Sequence, residues 1–129
     1  MFTIDSKILV VSGSRSIRVL PAQAKESLDR AMSNGLYIFV GDAPGVDTLV
    51  QEYLRSKEYQ DVTVWYSEKG LRTCLFPDNK REVRGSYSDR DKAMFALGDY
   101  HLALWDGKSP GTKRNISRKM VHHKVILCQ

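Results

Sequence analysis

Three segments combine glycines with side chains suited to anions or to sugar hydroxyls. They are Gly13-Ser14-Arg15-Ser16, Gly41-Asp42-Ala43-Pro44-Gly45 and Asp106-Gly107-Lys108-Ser109-Pro110-Gly111-Thr112. Glycine lets the backbone approach a ligand closely, and a helix that begins directly afterwards presents unpaired N–H groups to an anion. Together with Arg15, the two loops that lead into helices predict a phosphate site that needs no metal ion.

Three carboxylates stand in or beside these loops, namely Asp42, Asp47 and Asp106. Carboxylate oxygens accept hydrogen bonds and repel anions, so they suit sugar hydroxyls better than phosphates. Phosphate donors next to sugar acceptors predict a nucleotide-type ligand. Asp47 fits a second interpretation equally well, in which it stabilises the first turn of its helix through the helix dipole.

The elements that must position these loops are short apolar runs rich in β-branched residues. Such runs predict strands over residues 7–12, 36–40, 62–66, 101–105 and 125–128. Segments with helical spacing separate them, and strands alternating with helices indicate a parallel sheet covered on both faces. We therefore predict an α/β fold, a Rossmann-like three-layer αβα domain with a five-stranded parallel sheet in the order 3-2-1-4-5. In such a sheet the three loops meet at one edge.

Four helices are expected between the strands. The first helix is expected to begin near Pro21 and to stop at Gly35, and the second to begin at Val46. A Ser88-x-x-Asp91 capping pattern marks the start of the third. Thr112 is the candidate cap of the fourth, which carries Ile116 and Met120. His122 and His123 have no partner acid or cysteine at useful spacing, which favours a solvated helix end.

Bulk properties predict one domain over residues 1–129. The chain has 42% hydrophobic and 27% charged residues, as ordinary globular proteins do.

No apolar run is long enough to span a bilayer and no secretory pattern is present, so we expect a cytoplasmic protein that does not bind membranes. Cys74 and Cys128 lack metal-ligand spacing, and neither a metal nor a cofactor is predicted. The net charge of +5 favours anionic partners in general.

A long connection over residues 67–87 carries five basic residues, Lys69, Arg72, Lys80, Arg81 and Arg84. Connections of this length are usually functional or disordered. Two interpretations stay open, a mobile surface loop and a basic lid over an anionic ligand. The second also allows a subunit contact, and we expect a homo-oligomer.

Four motifs follow one another along nearly the whole chain. They are Val11-Ser12-Gly13-Ser14-Arg15, the segment from Gly41 to Asp47, Arg90-Asp91-Lys92-Ala93-Met94, and the segment from Trp105 to Thr112. Together they resemble the SLOG superfamily, nearest its small YspA-like branch. The superfamily includes the DNA-processing protein A group and the Lonely Guy phosphoribohydrolases, so the resemblance implies a Rossmann-like fold and a nucleotide-related ligand.

The resemblance and the loop argument together predict a set of ligand-binding residues. The set is Gly13, Ser14, Arg15, Gly41, Asp42, Ala43, Gly45, Val46, Asp47, Arg72, Arg90, Asp106, Gly107, Ser109, Gly111 and Thr112. Within it, the resemblance implies that Gly111 and Thr112 hold a phosphate.

Catalysis is less directly implied. Lonely Guy enzymes carry a Pro-Gly-Gly-x-Gly-Thr-x-x-Glu pattern, whereas Asn115 stands here in place of the glutamate. An amide cannot act as a general base, which leaves Asp47 and Asp106 as candidate catalytic residues. The first hypothesis is accordingly a module that binds a nucleotide-type small molecule, as a sensor or sequestering protein. The second is an N-glycosidic hydrolase or transferase acting on nucleoside phosphates, and DNA binding is the least favoured.

Overall fold

The computed structural model describes residues 7–118 and 122–128, and within them it shows an α/β protein with four helices and six strands. In chain order the elements are β1 (Ile8–Gly13), α1 (Ala22–Ser33), β2 (Tyr37–Gly41), α2 (Val46–Ser56), β3 (Val62–Ser67), β4 (Lys80–Val83), α3 (Tyr87–Ala96), β5 (Tyr100–Trp105), α4 (Pro110–Ile116) and β6 (His122–Leu127). The predicted α/β class with a parallel sheet is confirmed.

The sheet contains one strand more than predicted. Its order is β4-β3-β2-β1-β5-β6, and every pair of neighbours is parallel. The prediction of five strands in the order 3-2-1-4-5 is therefore wrong in count, because β4 adds an outer strand beside β3. The sequence Lys-Arg-Glu-Val of β4 is mostly exposed and carries no apolar pattern. A charged edge strand is protected against pairing with other chains, and hydrophobic periodicity does not detect it.

The direction of winding reverses at β1. This strand lies between β2 and β5, and successive connections run away from it toward both edges of the sheet. At such a reversal the loops that leave the neighbouring strands diverge and open a crevice at their carboxyl ends. The loops after β1 and β5 are two of the three glycine-containing segments.

Both faces of β1 are buried. Leu9 and Val11 belong to an apolar cluster with residues of α1 and α2, while Ile8 and Val10 belong to a second cluster that contains Met94 of α3. A strand covered on both faces needs apolar residues without alternation, which explains the continuous Ile-Leu-Val-Val run.

Two helices begin at residues other than those predicted. Ser86 caps α3 and forms a capping box with Asp89, two residues before the predicted Ser88 and Asp91. Ser109, not Thr112, is the N-cap of α4, and Thr112 is buried inside the helix.

The end of α4 and the start of β6 also differ from the prediction. The helix ends at Ile116, and Met120 lies outside the described residues. His122 and His123, predicted at a helix end, lie on β6 and pair with Tyr100 and His101 of β5. β6 begins before the predicted apolar segment, because its backbone pairing with β5 extends over polar residues as well. Within the described residues, no helix has both the length and the apolar character needed to cross a bilayer.

Gly13 is required by close packing at the end of β1. A Cβ atom there would lie 2.5 Å from Val46 Cγ2 and 2.6 Å from the Leu104 carbonyl oxygen. We expect Gly13→Ala to lower the free energy of unfolding by about 1–3 kcal/mol, as overpacking of a core does. Gly111→Ala is the control, because its Cβ would meet no atom within 4 Å. Urea unfolding of both variants checks this, and equal stability of the two would contradict it.

Candidate functional site

A cavity of about 490 Å³ opens at the carboxyl edge of the sheet. It brings together the segment after β1, the start of α2, one face of α3 and the start of α4. Its lining residues are Ser12, Gly13, Ser14, Arg15, Ser16, Ala43, Asp47, Arg72, Tyr87, Arg90, Asp91, Met94, Ser109, Pro110, Gly111, Thr112 and Asn115. Its volume lies within the range of ordinary small-molecule sites.

Most of the residues predicted to bind the ligand line this cavity, and the rest stand behind its wall or outside it. Those that line it are Gly13, Ser14, Arg15, Ala43, Asp47, Arg72, Arg90, Ser109, Gly111 and Thr112. Those that do not are Gly41, Asp42, Gly45, Val46, Asp106 and Gly107.

Gly41 and Gly45 shape the wall by leaving room for arginines. A Cβ on Gly41 would collide with the Arg90 guanidinium, and a Cβ on Gly45 would lie 2.5 Å from the Arg15 Cα. Gly45 also has φ of 84°, a backbone conformation that favours glycine. Their role in this structure is packing around the cavity.

Asp42 joins three segments of the chain behind the cavity. It has no exposed surface, and its carboxylate accepts hydrogen bonds from the Arg72 backbone N–H (2.8 Å), from Arg72 Nη2 (2.7 Å) and from Arg90 Nη1 (3.1 Å). These contacts occupy both oxygens. Asp42 thus positions two arginines at the cavity wall.

Arg90 and Asp91 continue this network into the cavity. Arg90 Nη1 also donates to the Trp65 carbonyl oxygen at 3.2 Å, and its Nε forms an ion pair with Asp91 Oδ1 at 2.8 Å. Asp91 Oδ2 accepts a hydrogen bond from Asn115 Nδ2 at 3.2 Å. Asp91 was interpreted from the sequence as a helix-capping acid. Its place in the Arg90-Asp91 motif is the signal that could have assigned it to the site.

Asp47 is a buried carboxyl group that lines the cavity. Its Oδ2 accepts a hydrogen bond from the Ala43 N–H at 3.0 Å and lies 3.9 Å from Arg90 Nη1. Burial raises the pKa of Asp47 from 3.8 to about 6, although Arg90 and the Ala43 N–H act in the opposite direction. A carboxyl group with this pKa can give or take a proton close to neutral pH.

Asp106 lies outside the cavity and organises the loop before α4. It accepts hydrogen bonds from Ser16 Oγ (2.7 Å), from the N–H groups of Lys108 (2.8 Å) and Ser109 (2.7 Å), and from Ser109 Oγ (2.8 Å). The Ser16 hydroxyl and these N–H groups hold the pKa of Asp106 well below its usual range. Asp106 faces a separate concavity that also includes Cys128.

Several lining residues were not predicted, among them Ser12 and Tyr87. The Arg72 guanidinium stacks on the Tyr87 ring, with 3.9 Å between Cζ and the ring centroid. Arg72 is the member of the predicted basic lid that reaches the cavity, whereas Lys80 and Arg81 lie on β4. No signal in the sequence pairs an arginine with an aromatic ring fifteen residues away across an irregular segment.

The described residues contain no group of three or more histidine, cysteine, aspartate or glutamate side chains placed to hold a metal ion.

Comparison of the chain with protein-family models, with curated proteins and with solved structures finds no match. What the cavity does must be inferred from its own chemistry.

Asp47 should make the stability of the protein depend on pH. Its pKa is higher in the folded state than in the unfolded state, so the folded state binds more protons between pH 4 and 6 and loses stability as the pH rises. From pH 4 to pH 7 the wild type should lose about 2–3 kcal/mol relative to Asp47→Asn, which cannot ionise. Urea unfolding at both pH values checks this, and parallel pH dependence of the two proteins would contradict it.

Proposed function

We propose that the protein binds a nucleotide-type small molecule in the cavity at the carboxyl edge of the sheet. The observation that carries this proposal is the joining, in one cavity, of arginines, a carboxyl group, hydroxyls and an aromatic ring from segments far apart in the chain. These are the groups that a phosphate, a sugar and a base require.

Arg15, Arg72 and the open backbone at Gly111 favour a phosphate. The Arg72 guanidinium is fixed between Asp42 and the Tyr87 ring, so little side-chain entropy is lost when it contacts an anion. A Cβ added at Gly111 would meet no atom within 4 Å, which means that a ligand can approach the backbone there.

Asp47 and Tyr87 favour the remaining parts of a nucleotide. Asp47 offers oxygen atoms to sugar hydroxyls from the start of α2, and it takes over the role first assigned also to Asp42 and Asp106. Tyr87 is 39% exposed, and the ring face that Arg72 does not cover offers a surface on which a base can stack. The resemblance of the four motifs to the SLOG superfamily supports the same class of ligand.

Calorimetry against a panel of nucleoside monophosphates, nucleoside diphosphates, cyclic nucleotides and ADP-ribose tests the proposal. Arg15→Gln should weaken the affinity for the bound nucleotide by about tenfold to a hundredfold, because a charged hydrogen bond to phosphate contributes about 1.5–3 kcal/mol. Arg15 is exposed, so its replacement should leave the fold intact.

Arg18→Gln is the matched control, because Arg18 is also an exposed arginine after β1 but lies outside the cavity. It removes the same charge from the protein and should leave the affinity unchanged. Equal weakening by both variants would indicate non-specific attraction of anions, and absence of binding across the whole panel would contradict the proposal.

Cleavage of an N-glycosidic bond is a second candidate function, and the raised pKa of Asp47 favours it. A carboxyl group that is protonated in part near neutral pH can protonate a departing base. Asn115 replaces the glutamate of the Lonely Guy pattern, but its amide contacts Asp91, which also lines the cavity. A carboxylate is thus retained close to this position.

Free base released from a nucleoside monophosphate, measured by chromatography, tests this second function. Asp47→Asn should lower the rate by about 100-fold or more, because the amide cannot transfer a proton. Asp78→Asn, at an exposed position away from the cavity, should retain the full rate. No release from any nucleoside monophosphate, with binding intact, would leave the protein as a binding module.

A further inference from the structure

A chain of hydrogen bonds leads from the cavity into the sheet. Ser12 Oγ lies 2.7 Å from His101 Nε2, His101 Nδ1 lies 2.8 Å from His123 Nδ1, and His123 Nε2 lies 2.6 Å from the Arg118 carbonyl oxygen. Ser12 lines the cavity from the end of β1, whereas the two histidines are neighbours on β5 and β6. The nucleotide-binding proposal makes no use of this chain.

The carbonyl of Arg118 fixes the direction of these hydrogen bonds. A carbonyl only accepts, so His123 Nε2 must carry a hydrogen and donate it. In a neutral His123 the Nδ1 atom is then an acceptor, and His101 Nδ1 must donate to it. His101 Nε2 is therefore free of hydrogen and accepts from the Ser12 hydroxyl.

The surroundings of His101 bury it and keep it neutral. It is 1% exposed, and its ring packs edge-on against Phe95 with the ring centroids 4.7 Å apart. Burial, together with His123 and Arg118, lowers the pKa of His101 to about 3. His123 is only half-buried, so its ring keeps more contact with water than the ring of His101 does.

We propose that Ser12 is a nucleophile in the cavity, activated by His101 and His123, and that it accepts a phosphoryl group from a phosphoanhydride. A serine within hydrogen-bonding distance of an imidazole that a third group orients is the arrangement by which enzymes activate this side chain. Arg15 and Arg72 line the same cavity and favour an anionic phosphoryl donor over an uncharged ester.

The bonds, electrons and protons of this transfer are all accounted for by Ser12, the phosphoanhydride and the two histidines. The bond from Ser12 Oγ to phosphorus forms as the bond from phosphorus to the bridging oxygen breaks, and that oxygen keeps the electron pair and leaves as part of a phosphate or carboxylate. The hydroxyl proton passes to His101 Nε2. The Nδ1 proton of His101 passes to His123 Nδ1, so that the positive charge ends on the half-buried His123 instead of the buried His101.

Covalent labelling with a small alkyl fluorophosphonate tests the nucleophile without any nucleotide. Attack by Ser12 expels fluoride and leaves an adduct that peptide mass spectrometry can locate. We expect the adduct on Ser12 and none on Ser14, Ser16 or Ser109, which line the same cavity but contact no imidazole. An adduct on those serines instead, or no adduct on folded protein, would overturn the proposal.

Acetyl phosphate then tests which group is transferred, because it is a mixed anhydride that can be attacked at phosphorus or at carbon. Phosphoserine at position 12 supports the proposal. Acetylserine at position 12 would overturn the assignment of a phosphoryl group, and modification at neither centre would overturn it as well.

Three histidine variants test the relay, with thermal unfolding recorded for each. His101→Gln keeps a hydrogen-bonding group beside Ser12 but cannot take its proton, so the labelling rate should fall by about 100-fold. His123→Gly should also label slowly and should regain rate when free imidazole is added, which a merely structural role would not produce. His122→Gln is the matched control, because His122 stacks on Tyr100 and lies outside the relay. Full labelling rates in His101→Gln would overturn the role of the relay.

Failure of these experiments would leave the nucleotide-binding proposal intact, because that proposal rests on other residues of the cavity. Conversely, labelling of Ser12 in a protein that binds none of the nucleotides in the panel would establish the nucleophile alone.

Discussion

The cavity wall depends on the ion pairs that Asp42 makes with Arg72 and Arg90. Asp42 follows β2, Arg72 lies in the irregular segment before β4, and Arg90 lies on α3, so one carboxylate joins three parts of the chain. Removing one partner of a buried pair typically costs about 3–5 kcal/mol, because the other charge is left without compensation. The main effect of the network is therefore to fix the positions of Arg72 and Arg90, and its contribution to stability is secondary.

The same network explains the electrostatics of Asp47. Arg90 shares its guanidinium among Asp42, Asp91 and the Trp65 carbonyl, and it approaches Asp47 only to 3.9 Å. A full ion pair would hold the pKa of Asp47 below its usual range, whereas a distant, shared arginine leaves burial as the largest influence. Gly41 makes this possible, since any side chain there would displace Arg90. Gly41 thus leaves room for Arg90 beside Asp47, while burial has the largest influence on the pKa of Asp47.

The sequence was sufficient for those parts of the structure that hydrophobic pattern controls. The buried parallel strands and the convergence of the glycine-containing loops follow from apolar runs and from the crossover rule. β4 was missed because a charged edge strand has no apolar face. Asp42 and Asp106 were assigned to a ligand because the sequence does not reveal which hydrogen-bond donors reach them. The hydrogen bonds that join Ser12 and His123 to His101 were not predicted, because they depend on the register between three strands, which no local pattern encodes.

Different parts of the fold hold Asp47 and the hydrogen bonds that run from Ser12 to His123, and this separation matters for what the site can do. Asp47 is held at the start of α2 by the Ala43 N–H, and its proton affinity is set by burial. The Ser12 relay is held within the sheet, and the carbonyl of Arg118 sets its polarity. No described hydrogen bond joins the two groups, and in the proposed transfer the proton of Ser12 goes to His101, toward β6, instead of to Asp47. One cavity is thus lined both by a carboxyl group with a raised pKa and by a hydroxyl that contacts an imidazole, which is more than recognition of a ligand requires.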